Sequence, residues 1–187
     1  MNRPILFLFC GQPGSGKTTQ AVSLAKTKAI PYYDYDTLVQ PFLQAIEREY
    51  GVGDGRLAFY AKWRAPSYGT FWAPVLENLK LGISAVVTAP LTRETRDPGF
   101  FSALKAQLGA DFKVVSIYLA PSYKLHLQML TKRGSYRDEE ILADYDAYKR
   151  THVVDKPCWD ADVNEMLSFD DYEELSRSLE RLLSEVI

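Results

Sequence analysis

Apolar positions along this chain fall into two patterns. Short continuous runs, Ile5–Cys10, Ile83–Val87 and Val114–Leu119, carry no charge. They read as strands buried on both faces, as in a parallel sheet. A second strand is expected over Ile30–Tyr33 and a fifth, weakly marked, near Val163–Leu167. Between them the apolar residues recur at helical spacing. Ala21, Val22, Leu24 and Ala25 begin one such segment, and Tyr172, Leu175, Leu179, Leu182 and Val186 mark the stripe of another. Asp170 and Glu173 stand where a capping box would start that last helix. Strand and helix alternate, which predicts an α/β doubly wound sheet with right-handed crossovers. Two stretches fall outside the alternation: an insertion at about 37–81 and a short tip at about 133–138. Both are expected as parts of one domain, 1–187.

Composition narrows the picture only a little. A chain of 187 residues, 47% hydrophobic and 25% charged, suits one domain with a sizeable core. A formal net charge of -2 gives no reason to expect general nucleic-acid binding, although a local basic patch is compatible with it. Cys10 and Cys158 show no metal-ligand spacing and are too few for a disulfide framework, so they read as reduced thiols in a cytoplasmic protein. The N-terminal apolar stretch is far shorter than the ~20 residues that span a bilayer, and no small-residue cleavage site follows it. Neither a membrane segment nor a signal peptide is expected.

Chemistry enters directly after the first strand. "GQPGSGKT", Gly11 to Thr18, satisfies G-x-x-x-x-G-K-[ST] in full, with the apolar run before it and a helical pattern after it. Polyphosphate must be ringed by backbone N–H donors at close range. Glycines permit that approach and the positive φ angles it requires, and the following helix aims its N-terminus at the anion. Gly11, Pro13, Gly14, Ser15, Gly16, Lys17, Thr18 and Thr19 are the expected nucleotide contacts. Lys17 is expected on the β- and γ-phosphates and the Thr18 hydroxyl on Mg2+.

The acid that switch and motor NTPases carry after a second apolar strand is absent from "ISAVVTAPL" and "VVSIYLAPS". The acids lie instead in "IPYYDYDTL", at Asp34 and Asp36. At the C-terminal edge of an open sheet, a carboxylate can face the γ-phosphate and prepare an attacking hydroxyl, while its neighbour holds a water on Mg2+. The same pair also suits a helix N-cap. A second cluster, "LTKRGSYRDEE", places Arg133 and Arg137 four apart beside a glycine. Arginines arriving from a lid stabilise transferring phosphate and exclude water, and they equally complement a helix C-terminus.

The phosphate loop, the acid after strand two and the R-x-x-x-R tip after strand four resemble the P-loop kinases of small molecules. That group includes the nucleoside-monophosphate, shikimate and gluconate kinases, chloramphenicol phosphotransferase and the kinase domain of polynucleotide kinases. The resemblance runs from Ile5 to about Arg150 and is specific for the superfamily, not for a member. It implies a three-layer α/β/α P-loop fold, a five-stranded parallel sheet in the order 2-3-1-4-5, a lid and a substrate-binding insertion. It further implies Arg133 on adenine, Arg137 on the phosphates and Asp36 on the acceptor hydroxyl. The substrate-side arginine pattern of the nucleoside-monophosphate kinases is not evident.

On the acceptor side, Arg64 and Arg93 are candidate contacts, together with Asp34 and Asp36. Among the many aromatics between Tyr32 and Trp72, the preferred site-facing ones are Trp63, Tyr68 and Trp72, which flank Arg64 and an expected loop at "APSYG". His126 and His152 read as structural or surface residues, and Cys10 as a buried strand position. The leading reading is an ATP-dependent kinase acting on a small-molecule hydroxyl with Mg2+. A polynucleotide 5′-hydroxyl acceptor and an ATP-binding regulatory module without an acceptor remain as alternatives. The lid arginine and the lack of an N-K-x-D motif favour ATP over GTP.

Overall fold

The computed structural model describes residues 3–109, 111–135, 138–152 and 155–186. Five strands form one sheet: β1 (Ile5–Gly11), β2 (Tyr32–Asp34), β3 (Ala85–Thr88), β4 (Lys113–Pro121) and β5 (Val163–Phe169). Their order is β2-β3-β1-β4-β5 and every pairing is parallel. Each strand lies within a few residues of its expected position, and the sheet order is the one the resemblance implied.

The apolar runs are continuous because both faces of the sheet are covered. Along β1 the side chains alternate: Leu6, Leu8 and Cys10 enter one core layer, Phe7 and Phe9 the other. The second layer is closed by α1 (Lys17–Lys28), α5 (Tyr123–Arg133) and α8 (Tyr172–Val186), through Ala21, Leu24, Leu125, Leu175, Leu179 and Leu182. The cap of α8 sits one residue later than expected. The Glu174 carboxylate accepts from the Asp170 amide at 2.7 Å, and Asp171 accepts from the Glu174 amide at 2.8 Å. Asp171, not Asp170, is the capping side chain, because it is the residue directly before the first helical turn.

The first layer is closed by the segment between β2 and β3, together with α4 (Phe100–Leu108). Residues 37–81 lie almost wholly within two helices, α2 (Tyr35–Tyr50) and α3 (Arg56–Lys80). Val39, Leu43 and Ile46 of α2 meet Tyr68, Phe71, Trp72, Val75 and Leu79 of α3 in one cluster with β1 and β3. Three expectations change here. "APSYG" is not a loop, since α3 runs straight through Pro66 and Pro74. Tyr68 and Trp72 are core residues, 8% and 6% exposed, and Trp63 is half-buried against the same core. A helix-interior proline costs about 3 kcal/mol. Five large side chains at helical spacing, each contributing about 1.5–3 kcal/mol on burial, outweigh two of them.

Two short helices, α6 (Glu139–Ala143) and α7 (Tyr145–Thr151), follow α5. Among the described residues, no helix is long and apolar enough to cross a membrane.

Candidate functional site

The phosphate loop joins the end of β1 to the start of α1. Gly11, Gly14 and Gly16 have φ of 138°, 74° and 88°, in the region where only glycine is unstrained. A Cβ on Gly11 would stand 2.5 Å from the Leu119 carbonyl oxygen of β4, and one on Gly14 would stand 2.5 Å from Leu130 of α5. The loop is therefore held from beneath by two neighbouring elements. Gly16 ends it as the N-cap of α1 and offers no side-chain cap, which leaves the first N–H groups of that helix to whatever lies in the loop.

Three features fit an anion there. The Ser15 side chain is fully buried, and its hydroxyl has no partner among the described residues. The Lys17 ammonium curls back onto the loop, donating to the carbonyls of Gly11 (3.0 Å) and Gln12 (2.7 Å). Burial lowers its pKa to about 8. Arg133 pushes it the same way, while Asp36 and Asp34 pull it back up. The charges of Arg133, Asp36 and Asp34 thus all reach Lys17. A cleft of about 370 Å³ opens over the loop, lined by Gly14, Gly16, Lys17, Thr18, Thr19 and Arg133.

The same cleft is lined by Met129, Lys132 and Tyr172, which the sequence reading missed. Met129 and Lys132 had no signal beyond their nearness to Arg133. Tyr172 was assigned to the stripe of α8, yet it is 52% exposed and faces the cleft from the start of that helix.

Arg133 closes α5, and its guanidinium is gripped by the buried carboxylate of Asp138 from two nitrogens, Nε at 2.6 Å and one terminal nitrogen. The pair holds the guanidinium in place at the rim of the cleft. Arg137 lies outside the described residues.

At the junction of β2 and α2, Asp34 and Asp36 differ in their surroundings. Asp34 is the N-cap of α2: one oxygen accepts from the Thr37 amide at 2.8 Å and from its hydroxyl at 2.9 Å. The other accepts from the Thr88 hydroxyl at 2.6 Å. Thr88 ends β3, where a switch-type NTPase would carry its own acid, and Asp34 is its register partner on β2. The carboxylate reaches that place sideways, from the neighbouring strand. Tyr32 joins the group, 2.9 Å from Thr88. Burial raises its phenol pKa, while hydrogen bonding by the Thr88 and Thr18 hydroxyls draws it back. Asp36 needs no capping duty, lies exposed in the first turn of α2, and is within electrostatic reach of Lys17. Thr18, the candidate metal ligand, is exposed beside this cluster. No cage of three or more His, Cys, Asp or Glu side chains exists among the described residues.

The two arginines on the acceptor side differ. Arg93 is exposed, and no ion pair to it exists among the described residues. Arg64 is engaged: one terminal nitrogen donates to both oxygens of Glu94, at 2.8 and 2.6 Å. His126, read from sequence as structural or surface, is fully buried. Its Nε2 lies 2.7 Å from the Pro13 carbonyl of the phosphate loop and its Nδ1 2.6 Å from the Tyr145 hydroxyl of α7. Gln12 adds a second tie, donating to the His152 carbonyl at 3.1 Å. Burial raises the thiol of Cys10 to about 12, which makes it inert.

This loop and sheet order make a P-loop fold of α/β/α layers. Solved structures share it along nearly the whole chain. A candidate kinase from Chloroflexus aurantiacus is 15% identical over 96% of this chain and 98% of its own, with a TM-score of 0.64. A sugar kinase from Janibacter sp. is 15% identical over 96% and 94%, with a TM-score of 0.57. A Thermus thermophilus protein is 20% identical over 100% of both chains, with a TM-score of 0.56. At these identities the likeness establishes the fold. No family model matches the chain, and no curated protein matches it.

Proposed function

We propose that this chain is an ATP-dependent kinase that transfers the γ-phosphate to a hydroxyl of a small molecule in a cytoplasmic setting. The observation that carries the proposal is the placement of Asp36. It is an exposed carboxylate in the first turn of α2, two residues past the end of β2, and its charge raises the pKa of the phosphate-loop lysine. A protein that only bound nucleotide would need no such group.

The residues then take the following roles. The amides of Gly14, Gly16 and Thr18, with the Ser15 hydroxyl, hold the phosphates. Lys17 exchanges the Gly11 and Gln12 carbonyls for phosphate oxygens, which also keeps it charged above pH 8. Thr18 holds Mg2+, which when bound neutralises phosphate charge. Asp36 accepts the acceptor hydroxyl's proton or orients it, at a rate benefit of about 10²–10⁴. Arg133, steadied by Asp138, presents its guanidinium face to the base, and Tyr172 offers a second flat surface. Arg137 supplies positive charge to the transferring group.

Acceptor-dependent ADP release is the test, scored over sugars, nucleosides, antibiotics and oligonucleotides. Nucleotide binding with slow hydrolysis and no stimulation by any of them would leave the regulatory-module reading in its place.

A further inference from the structure

Where α1, β2 and β3 meet, the side chains of Thr18, Tyr32, Thr88 and Asp34 form one chain of hydrogen bonds. Side chains alternate across a strand, so Tyr32 and Asp34 of β2 project to one face and Tyr33 to the other. Their register partners on β3 are Val86 and Thr88. The Tyr32 ring packs into the core layer of Ala21 and Ala25, and Tyr33 into the opposite layer. Thr18 stands three residues before Ala21, on the same face of α1 and one turn nearer the crevice. The phenol of Tyr32 therefore ends beside the Thr18 hydroxyl and is hydrogen-bonded to it.

The direction of each bond follows from counting protons. A carboxylate only accepts. Oδ2 of Asp34 lies 2.6 Å from the Thr88 hydroxyl, which must donate and so spends its one proton. Tyr32 Oη lies 2.9 Å from Thr88 Oγ1 and 3.3 Å from Asp34 Oδ2. Neither oxygen has a proton left to give, so the phenolic proton points at that pair. Toward Thr18 the phenol then presents lone pairs alone. Thr18 must be the donor, and its own lone pairs are left facing the crevice. Asp34 is turned away from that place, since its Oδ1 accepts from the Thr37 amide and hydroxyl at 2.8 and 2.9 Å. Its negative charge reaches Thr18 through two hydroxyls, each polarising the next. A hard oxygen donor whose proton is committed elsewhere fits Mg2+.

We infer that Tyr32 is a positioning residue: its phenol takes the Thr18 proton, holds the threonine lone pairs toward the crevice, and so sets how strongly a divalent cation tightens nucleotide binding. The inference rests on the nucleotide site of the kinase reading. Tyr32 touches neither nucleotide nor acceptor in this role and acts through Thr18. Without the phenol the Thr18 hydroxyl is free to rotate, and the link to the Asp34 carboxylate is cut. Outer partners of this kind commonly govern the affinity of a metal ligand they never replace.

The test is ADP binding to the full chain by calorimetry, in excess Mg2+ and in EDTA, read as the ratio of the two Kd values. Tyr32→Phe keeps the ring in its layer and removes only the oxygen. It is expected to leave the affinity in EDTA unchanged and to lower the Mg2+ ratio by about tenfold. Mn2+ titrated into the ADP complex and followed by electron paramagnetic resonance should show the same loss of cation affinity. Thr88→Val cuts the chain one bond further from Thr18 and should lower the ratio in the same direction by a smaller factor. Tyr33→Phe loses a 2.6 Å bond to Asn78 on the other face of the strand. It should lower the melting temperature and leave the ratio as it is in the wild type. An equal ratio in wild type and Tyr32→Phe, a wild-type affinity that Mg2+ does not alter, or an equal fall in Tyr33→Phe overturns the inference while nucleotide binding stands. No ADP binding by the wild type in either buffer overturns the kinase reading as well. Should Tyr32→Phe fail to fold, an unchanged ratio in Thr88→Val overturns the inference by itself.

Discussion

His126 offers a quantitative check on how the phosphate loop is held. Its ring is buried between the Pro13 carbonyl and the Tyr145 hydroxyl, at 2.7 and 2.6 Å. A carbonyl only accepts, so Nε2 carries the proton and Nδ1 accepts from the tyrosine. His126→Phe keeps the volume and removes both bonds. The Tyr145 hydroxyl, on a residue 6% exposed, loses its short partner and keeps only a long contact of 3.4 Å to the Tyr123 carbonyl. Such a loss costs about 1–3 kcal/mol. The Pro13 carbonyl lies at the loop rim, where water can replace the donor, so its share is smaller. A total of about 2–4 kcal/mol follows, which for a chain of this size lowers the melting temperature by roughly 5–15 °C.

Tyr145→Phe breaks only one of the two bonds and leaves Pro13 held. It should cost about 1–2 kcal/mol and leave nucleotide affinity close to wild type, whereas His126→Phe should weaken affinity by about tenfold because the loop loses its strut. Burial lowers the imidazole pKa from its ordinary 6.5. Lys149 and Lys17 act in the same direction, and Asp138 and the Pro13 carbonyl oppose it. Below pH 6.5 the unfolded chain therefore takes up a proton that the folded ring resists, and stability falls as the pH drops toward the lowered folded value. Above 6.5 that contribution is fully present. The assay is thermal unfolding from pH 5 to 8 with nucleotide titration at pH 7.5. Equal nucleotide affinity in the two variants, or an unchanged pH slope in His126→Phe, would refute the strut.

Other predictions follow from the same geometry. Asp36→Asn should lower kcat by about 10²-fold or more with ATP affinity within about threefold, because the group acts on the acceptor and not on the nucleotide; parallel losses in both would remove its assigned role. Lys17→Ala should abolish transfer. In the wild type, nucleotide affinity should decline above pH 8, by up to about tenfold per unit. There the free lysine has shed its proton and binding must recover it, so calorimetry in buffers of different ionisation enthalpy should show proton uptake at pH 8–9. Gly11→Ala forces a Cβ to 2.5 Å from the Leu119 carbonyl at φ of 138° and should cost about 1–3 kcal/mol or more, read as a lower melting temperature without nucleotide.

The signals confined to neighbouring residues were legible in the chain itself. The uncharged runs at Ile5–Cys10 and Val114–Leu119 became central strands, because a continuous apolar run has only a doubly covered sheet position to occupy. The phosphate loop was complete within eight residues, and its chemistry depends on backbone conformations that those glycines permit. Residues 37–81 were less legible. Prolines at 66 and 74 argued for interruption, and only the packing of Tyr68, Phe71, Trp72, Val75 and Leu79 on the sheet shows why the helix persists.

What tertiary structure alone decided was partnership over distance. Asp34 and Asp36 are near twins in sequence, and the hydroxyl of Thr88, 54 residues from Asp34, ties that one to β3. Arg64, a candidate acceptor contact, meets Glu94, 30 residues on, through one terminal nitrogen. His126, read as structural or surface, proves structural through the carbonyl of Pro13, 113 residues back and 2.7 Å away. A side chain's type states what it can bond. Its partner is set by where the sheet order and crossovers bring other segments, and no local pattern of charge or apolarity encodes that meeting.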